Sequence, residues 1–196
     1  MKKVDIESKQ RIFDDFFKID EVQLSHERFD GQMSQTFRQL VFERGDSVAA
    51  VLMNTDAERI ILIKQFRYPT YEKGPGWILE AIAGKLEAGE SPEESVRREI
   101  LEEAGYRVNS LTHISTFYVS PGGTSERIIL FLAQVSDTDK VARGGGLPTE
   151  NEDIQLVEFS LPELWQALND GQIVDAKTLI GLLWLKHKLM VDNRSK

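Results

Sequence analysis

No cysteine occurs among the 196 residues, which excludes disulfides, thiolate nucleophiles and cysteine-bound zinc. Histidine is nearly as scarce: His26, His113 and His187 are scattered without ligand spacing and read as structural or solvent-facing. Nowhere do roughly eighteen apolar residues run together, and the opening Met-Lys-Lys-Val-Asp-Ile-Glu lacks the apolar centre of a secretory leader. The expectation is a cytoplasmic protein with no membrane partner. Basic clusters are missing too. With a net charge of −8 and a pI of about 5.0, a nucleic-acid partner is not expected, because phosphate backbones call for grouped Lys and Arg. No internal repeat or low-complexity tract appears.

The chain does contain enough apolar material for a core, 41% hydrophobic against 29% charged, at a length that suits one domain plus a modest extension. Residues 1–45 form a first, β-rich section. Phe13 to Leu24 is aromatic and β-branched in patches, and Phe29-Asp30-Gly31-Gln32 carries an Asp-Gly turn signal between extended stretches. This section has too little apolar content for an independent core and must pack on something else, either the remainder of the chain or a second copy.

Residues 46–196 form the second section. Ser47 to Met53, Arg59 to Phe66, Trp77 to Ala83, Leu111 to Val119, Arg127 to Val135 and Ile154 to Phe159 read as strands. Pro69 to Gly76 reads as a loop, and Leu161 to Asn169 and Asp175 to Met190 as closing helices. A long polar connection, 136–153, contains Gly144-Gly145-Gly146 and the acidic run Glu150-Asn151-Glu152-Asp153; loops of this length are usually functional or disordered. Mixed strands with one helix in the middle and two at the end predict an α/β sandwich with a mixed sheet.

The middle helix has clear ends. Ser91 is a natural N-cap, Pro92 suits the first position, Glu94 completes a capping box, and Gly105 stops the helix. Along it Glu99, Glu102 and Glu103 stand at i, i+3 and i+4 and share one face. Such like charges repel unless something neutralises them. Arg97 and Arg98 can do part of this; a hard divalent cation such as Mg²⁺, held by carboxylates and substrate phosphates, does it better.

The full pattern is Gly84, five residues, Glu90, seven residues, Arg98-Glu99, an aliphatic, one residue, Glu102-Glu103, one residue, Gly105 and an apolar Tyr106. It resembles the Nudix box with every fixed position filled. The likeness extends over most of the chain: Gly31 to Ser34, Phe42 to Gly45, Gln65-Phe66-Arg67, Glu80 to Gly84, Ser120 to Arg127 and Glu150 to Ile154 are similar to the bacterial ADP-ribose pyrophosphatases, and several features, the glycine run among them, to the GDP-mannose hydrolases.

The resemblance implies a Nudix-type α/β/α sandwich with an N-terminal β extension, and a homodimer whose N-terminal strands are exchanged. It implies metal-assisted hydrolysis of ADP-ribose, with Mg²⁺, or Mn²⁺ in its place. In that reading the Ala83 carbonyl, Glu99, Glu103 and Glu152 hold the metal, Glu102 sits beside them as ligand or support, and Glu150 is the general base on a loop able to close. Arg44 and Arg67 contact the diphosphate or terminal ribose; Ser120, Pro121, Gly122 and Glu126 line the ribose side; Phe16 or Phe17 stacks on the base. Where the family usually has two adjacent basic residues this chain has Arg38-Gln39, and a neutral Gln39 weakens cation stacking on adenine. A GDP-mannose or broader nucleoside-diphosphate-sugar hydrolase, and a ligand-sensing module that keeps the fold without turnover, stay open as alternatives.

Overall fold

The computed structural model describes residues 2–194, in two units: 2–46 with 118–127, and 47–117 with 128–194. In the larger unit, strict alternation along three strands decides the layers. Strand β4 (Ser47–Asn54) sends Val48, Ala50 and Leu52 to one face and Val51 to the other; β5 (Arg59–Phe66) sends Ile61 and Ile63 one way, Ile60 and Leu62 the other; β9 (Arg127–Val135) divides Phe131 and Ala133 from Leu132. One face is covered by Val96, Ile100 and Ala104 of the box helix. The opposite face is covered by helices α3 (Leu161–Asn169) and α4 (Ala176–Arg194), through Leu164, Ala167, Leu182 and Leu185. Burial on both faces makes these strands almost wholly apolar.

The sheet runs β10-β5-β4-β9-β8, with β8 at Ser110–Tyr118 and β10 at Gln155–Ser160. β4 and β9 are parallel and β4–β5 and β5–β10 antiparallel, so the sheet is mixed and the fold is the α/β sandwich expected. One expectation needs correcting. The stretch Trp77 to Ala83 is two strands, β6 (Trp77–Glu80) pairing with β5 and β7 (Ile82–Lys85) pairing with β4. The chain changes partner at Ala81, whose freed N–H is taken by Thr178 Oγ1 at 2.6 Å. The loop after β5 likewise includes a short helix, α1 (Tyr68–Tyr71), which Pro69 can enter because its missing N–H falls in the first turn.

The smaller unit carries an antiparallel sheet in the order β1 (Val4–Asp14), β2 (Lys18–His26), β3 (Phe37–Glu43). The Asp-Gly turn falls between β2 and β3 as its sequence suggests. Strand β1 went unforeseen because its charged residues break any apolar alternation, and every residue of it is exposed. Phe16 and Phe17 therefore lie in the β1–β2 turn and not in a strand: Asp15 accepts the Phe16 N–H at 2.7 Å and its own N–H donates to the Phe17 carbonyl. Among the described residues of the three strands, Val22 alone is a buried apolar side chain.

Candidate active site

The box helix, α2 (Pro92–Glu99), begins at the Ser91–Glu94 capping box and continues as a π-helical turn over Ile100–Ala104 before Gly105 ends it. Its apolar stripe faces the sheet, and that anchoring takes Glu99 and Glu103 into the interior with it. Opposite them lies the β6–β7 segment. Ala83 donates its N–H to Glu103 Oε2 at 3.3 Å, and a Cβ on Gly84 would stand 1.9 Å from Glu99 Oε1, so only glycine lets this strand lie against the carboxylate.

Arg98 organises the acids on the helix. It forms a forked bridge to Glu90 at 3.0 and 3.1 Å and uses a third nitrogen contact for Glu99 at 2.8 Å and Glu102 at 3.1 Å. Glu103 is beyond its reach. Burial, and then the nearby charges of Glu99 and Glu152, push the Glu103 carboxyl up to about 9, opposed by the Ala83 N–H and by Arg67. Burial also raises Glu99 to about 7, with Arg98 opposing. Glu103 Oε1 is buried without a hydrogen-bond partner.

Glu152 reaches this cluster from the long connection, which is stitched to the end of the box helix. Gly145 and Gly146 donate their N–H groups to the carbonyls of Glu103 and Glu102, at 2.8 and 3.2 Å. Gly146 has φ +80°, and a Cβ there would lie 2.6 Å from the Glu152 side chain. Glu152 Oε2 accepts the Leu147 N–H at 2.9 Å. Glu150 ends a 3₁₀ turn, Pro148–Glu150, with its side chain exposed. Arg67 follows β5, and its Nε donates to Glu80 Oε2 at 2.7 Å.

Among the described residues no three carboxylates or imidazoles converge tightly enough to form a finished metal site. Glu99 is held by Arg98 and Glu152 by a backbone N–H, as mutually repelling acids require without a countercharge. The donor set nevertheless fits a hard divalent cation. It is all oxygen, it contains an unpartnered buried carboxylate oxygen, and burial with too little countercharge holds its Glu103 and Glu99 carboxyls toward the protonated form, which a bound cation would reverse.

The smaller unit gathers a second group of the residues singled out in the sequence. Phe17 packs on Phe42 with ring centroids 5.0 Å apart, while Phe16 is 86% exposed. Arg44 and Glu126 pair at 3.6 Å. Arg38 pairs with Glu21. Gln39 donates its side-chain amide to the Gly122 carbonyl at 3.2 Å, on the wall of a cleft of about 460 Å³ lined also by Tyr118, Pro121 and Thr124. Ser120 opens that loop, its carbonyl accepting the Gly123 and Thr124 N–H groups at 3.0 Å.

The NUDIX domain family matches residues 43–179, most of the chain. The chain belongs to the Nudix family. It is 40% identical over 187 residues, 93% of this chain and 88% of the relative, to the ADP-ribose pyrophosphatase of Escherichia coli (strain K12). It is also 35% identical to the GDP-mannose pyrophosphatase of Cronobacter sakazakii, over 91% of this chain and 93% of that one. A solved structure described as an ADP compounds hydrolase superposes with a TM-score of 0.75 over 98% of this chain and 97% of its own, at 22% identity, a likeness of fold. This Nudix protein is an enzyme of the hydrolase type, and the box helix with its buried glutamates is the part of it that carries the family pattern.

Glu80 is a site neighbour that sequence reasoning gave no role. Its position in a strand reads as sheet, and only the tertiary pairing with Arg67 brings it to the site.

Proposed function

We propose that this protein hydrolyses ADP-ribose at its diphosphate linkage, water adding across the P–O–P bond to give AMP and ribose 5-phosphate. The observation that carries the chemistry is Glu103, buried with one carboxylate oxygen unpartnered beside Ala83 and Glu99. The substrate is supported by the 40% identity to a protein named for ADP-ribose.

The Ala83 carbonyl, Glu99, Glu103 and Glu152 would hold Mg²⁺, with Mn²⁺ as a substitute; such an ion supplies neutralisation of the diphosphate and acidifies water. Glu102, tied to Arg98, supports the ligands from the side. Glu150 takes the proton of the attacking water; its exposed position on the loop suits a group that must meet solvent. Arg67 offers its outer guanidinium nitrogens to the phosphate oxygens, since the contact to Glu80 uses Nε. Arg44, Ser120, Pro121, Gly122 and Glu126 bind the ribose side. Phe16 or Phe17 stacks on the base, with Arg38 and Gln39 at its edge.

The N-terminal section, 1–45, serves as the dimerisation element of a Nudix domain over 46–196, and its strands are exchanged in a homodimer. Supporting this, β1 is exposed throughout and carries Val4, Ile6, Ile12 and Phe13 to solvent, a composition suited to burial against a second copy. The location proposed with this activity is the cytoplasm; no helix among the described residues is long and apolar enough to cross a membrane.

The deciding experiment is phosphate-coupled product release with Mg²⁺ and a panel of ADP-ribose, ADP-glucose, GDP-mannose, UDP-glucose and NADH. Highest kcat/KM on ADP-ribose is expected. The likeness to GDP-mannose pyrophosphatases, together with Gln39, favours GDP-mannose as the second reading, and a preference for it would replace the first. Sedimentation velocity tests the dimer; a monomer at micromolar concentration would remove the exchange of strands.

A further inference from the structure

Behind Arg67 lies a chain of alternating charges that ends on a different element. Arg67 Nε bonds Glu80 Oε2 at 2.7 Å, and Lys177 Nζ bonds the other oxygen, Glu80 Oε1, at 2.6 Å. The same ammonium meets Asp175 Oδ1 at 3.0 Å, whose second oxygen accepts the Thr178 N–H at 3.0 Å and the Thr178 hydroxyl at 2.5 Å. Thr178 in turn accepts the N–H of Ala81, where the chain passes from β6 to β7. Glu80 is 4% and Lys177 8% exposed, but Arg67 keeps 38% of its side chain in solvent.

Two acids and two bases alternate, so the group is neutral as a whole, and each buried member depends on its neighbours for compensation. Arg67, at one end, is the member most open to solvent; Asp175, at the other, keeps 16% of its side chain exposed. A guanidinium held through Nε to a fixed carboxylate presents its two terminal amino groups in a set direction, the fork that phosphate recognition needs. The fixing requires that Glu80 itself not rotate, and Lys177 is the group on its free oxygen.

We propose that Lys177, on the first turn of the C-terminal helix, is a positioning residue for phosphate recognition, acting through Glu80 on Arg67. The inference rests on the reading that Arg67 binds the diphosphate. It makes the start of α4, more than a hundred residues away in sequence from Arg67, part of the support of the substrate site.

The test is a double-mutant cycle on the full chain with Lys177→Met and Arg67→Ala, reading KM and kcat for ADP-ribose separately, with thermal melts of each variant. Lys177→Met is expected to raise KM roughly tenfold with a smaller change in kcat. In the Arg67→Ala background the same substitution should leave KM unchanged, because its route to the substrate is gone. Lys177→Arg, which restores a cation to Glu80, should recover most of the loss. Equal effects of Lys177→Met in both backgrounds would mean a general structural role and overturn the proposal. An unchanged KM in Lys177→Met with a raised KM in Arg67→Ala would overturn it while leaving the phosphate reading intact; an unchanged KM in Arg67→Ala would overturn that reading itself. Should Lys177→Met fail to fold, Lys177→Gln, which keeps a donor to Glu80 without the charge, carries the same cycle with the same outcomes.

Discussion

The paired acids of the smaller unit and the box-helix acids Glu99 and Glu103 of the larger one are treated in opposite ways. In the smaller unit three carboxylates are closely partnered: Asp20 has Arg11 at 2.7 Å and Lys9 at 3.2 Å, Asp46 has Arg127, and Glu43 accepts the Ser125 hydroxyl and the Gly45 N–H. All three carboxyls are held below the usual range, Asp20 by Arg11, Asp46 by Arg127 and Glu43 first by Ser125. In the larger unit Glu103 and Glu99 are pushed upward, because burial outweighs the compensation available. The first set stabilises the fold that contains it. The second set costs stability in the metal-free protein, and such a cost persists at sites where a ligand supplies what the protein withholds.

Several measurements sharpen or break this contrast. The largest effect is expected from Glu103→Gln. Turnover should fall by roughly 10³-fold or more, while the metal-free protein melts higher than the parent because the cost of burying this carboxyl, which must take up a proton to fold at neutral pH, has been removed; a lower melting temperature with near-normal turnover would reverse the roles assigned to the two sets. Next comes Gly84→Ala. Its Cβ would sit within 2 Å of Glu99 Oε1, so the carboxylate must move, and misplacement on that scale costs on the order of 10²-fold in kcat/KM. Full activity in this variant would separate Glu99 from the chemistry.

Proton linkage gives a third and gentler probe. The Glu103 carboxyl lies near 4.5 in its ordinary state and about 9 in the folded protein, so protonation favours folding. That contribution is fully present below pH 4.5 and is lost as pH rises towards 9. Metal-free protein should therefore melt higher at pH 6 than at pH 8.5, and added Mg²⁺ should raise the melting temperature at pH 8.5 far more than at pH 6. The paired acids behave in the reverse sense. Their stabilisation is present above their ordinary values and disappears as pH falls through the depressed ones, so acid should destabilise the smaller unit first, visible by hydrogen exchange across β1–β3 below about pH 4. A single melting curve flat from pH 6 to 8.5, unmoved by Mg²⁺, would argue against an uncompensated site. The smallest effect is assigned to Asp20→Asn, which should lower the melting temperature by a few degrees and leave kcat within about twofold; a loss of turnover as large as that of Gly84→Ala would join Asp20 to the catalytic machinery.

Much of this was written in local pattern. The capping box at Ser91 and Glu94, the glutamates at helical spacing and the alternating apolar runs of β4, β5 and β9 depend on residues close in sequence, and the structure reproduces them. Strand β1 was not legible, because a strand stripped of apolar alternation is specified by its partner β2 and not by its own composition. The break at Ala81 was hidden for a similar reason: Trp77 to Ala83 reads as one strand until the neighbours available on either side are known.

The sequence by itself determined the family, the helix that carries the acids and the cation chemistry those acids imply, since each follows from spacing within one helix or one loop. Tertiary structure alone decided which acid keeps an unpartnered buried oxygen. Arg98 stands next to Glu99 in the chain and neutralises it in part, and no rule of spacing says that Glu103 falls beyond its reach and against Ala83. It also decided that Glu80 and Lys177, ninety-seven positions apart, complete one ion pair behind Arg67. Charges interact through space and burial, and neither distance is fixed until the chain has folded.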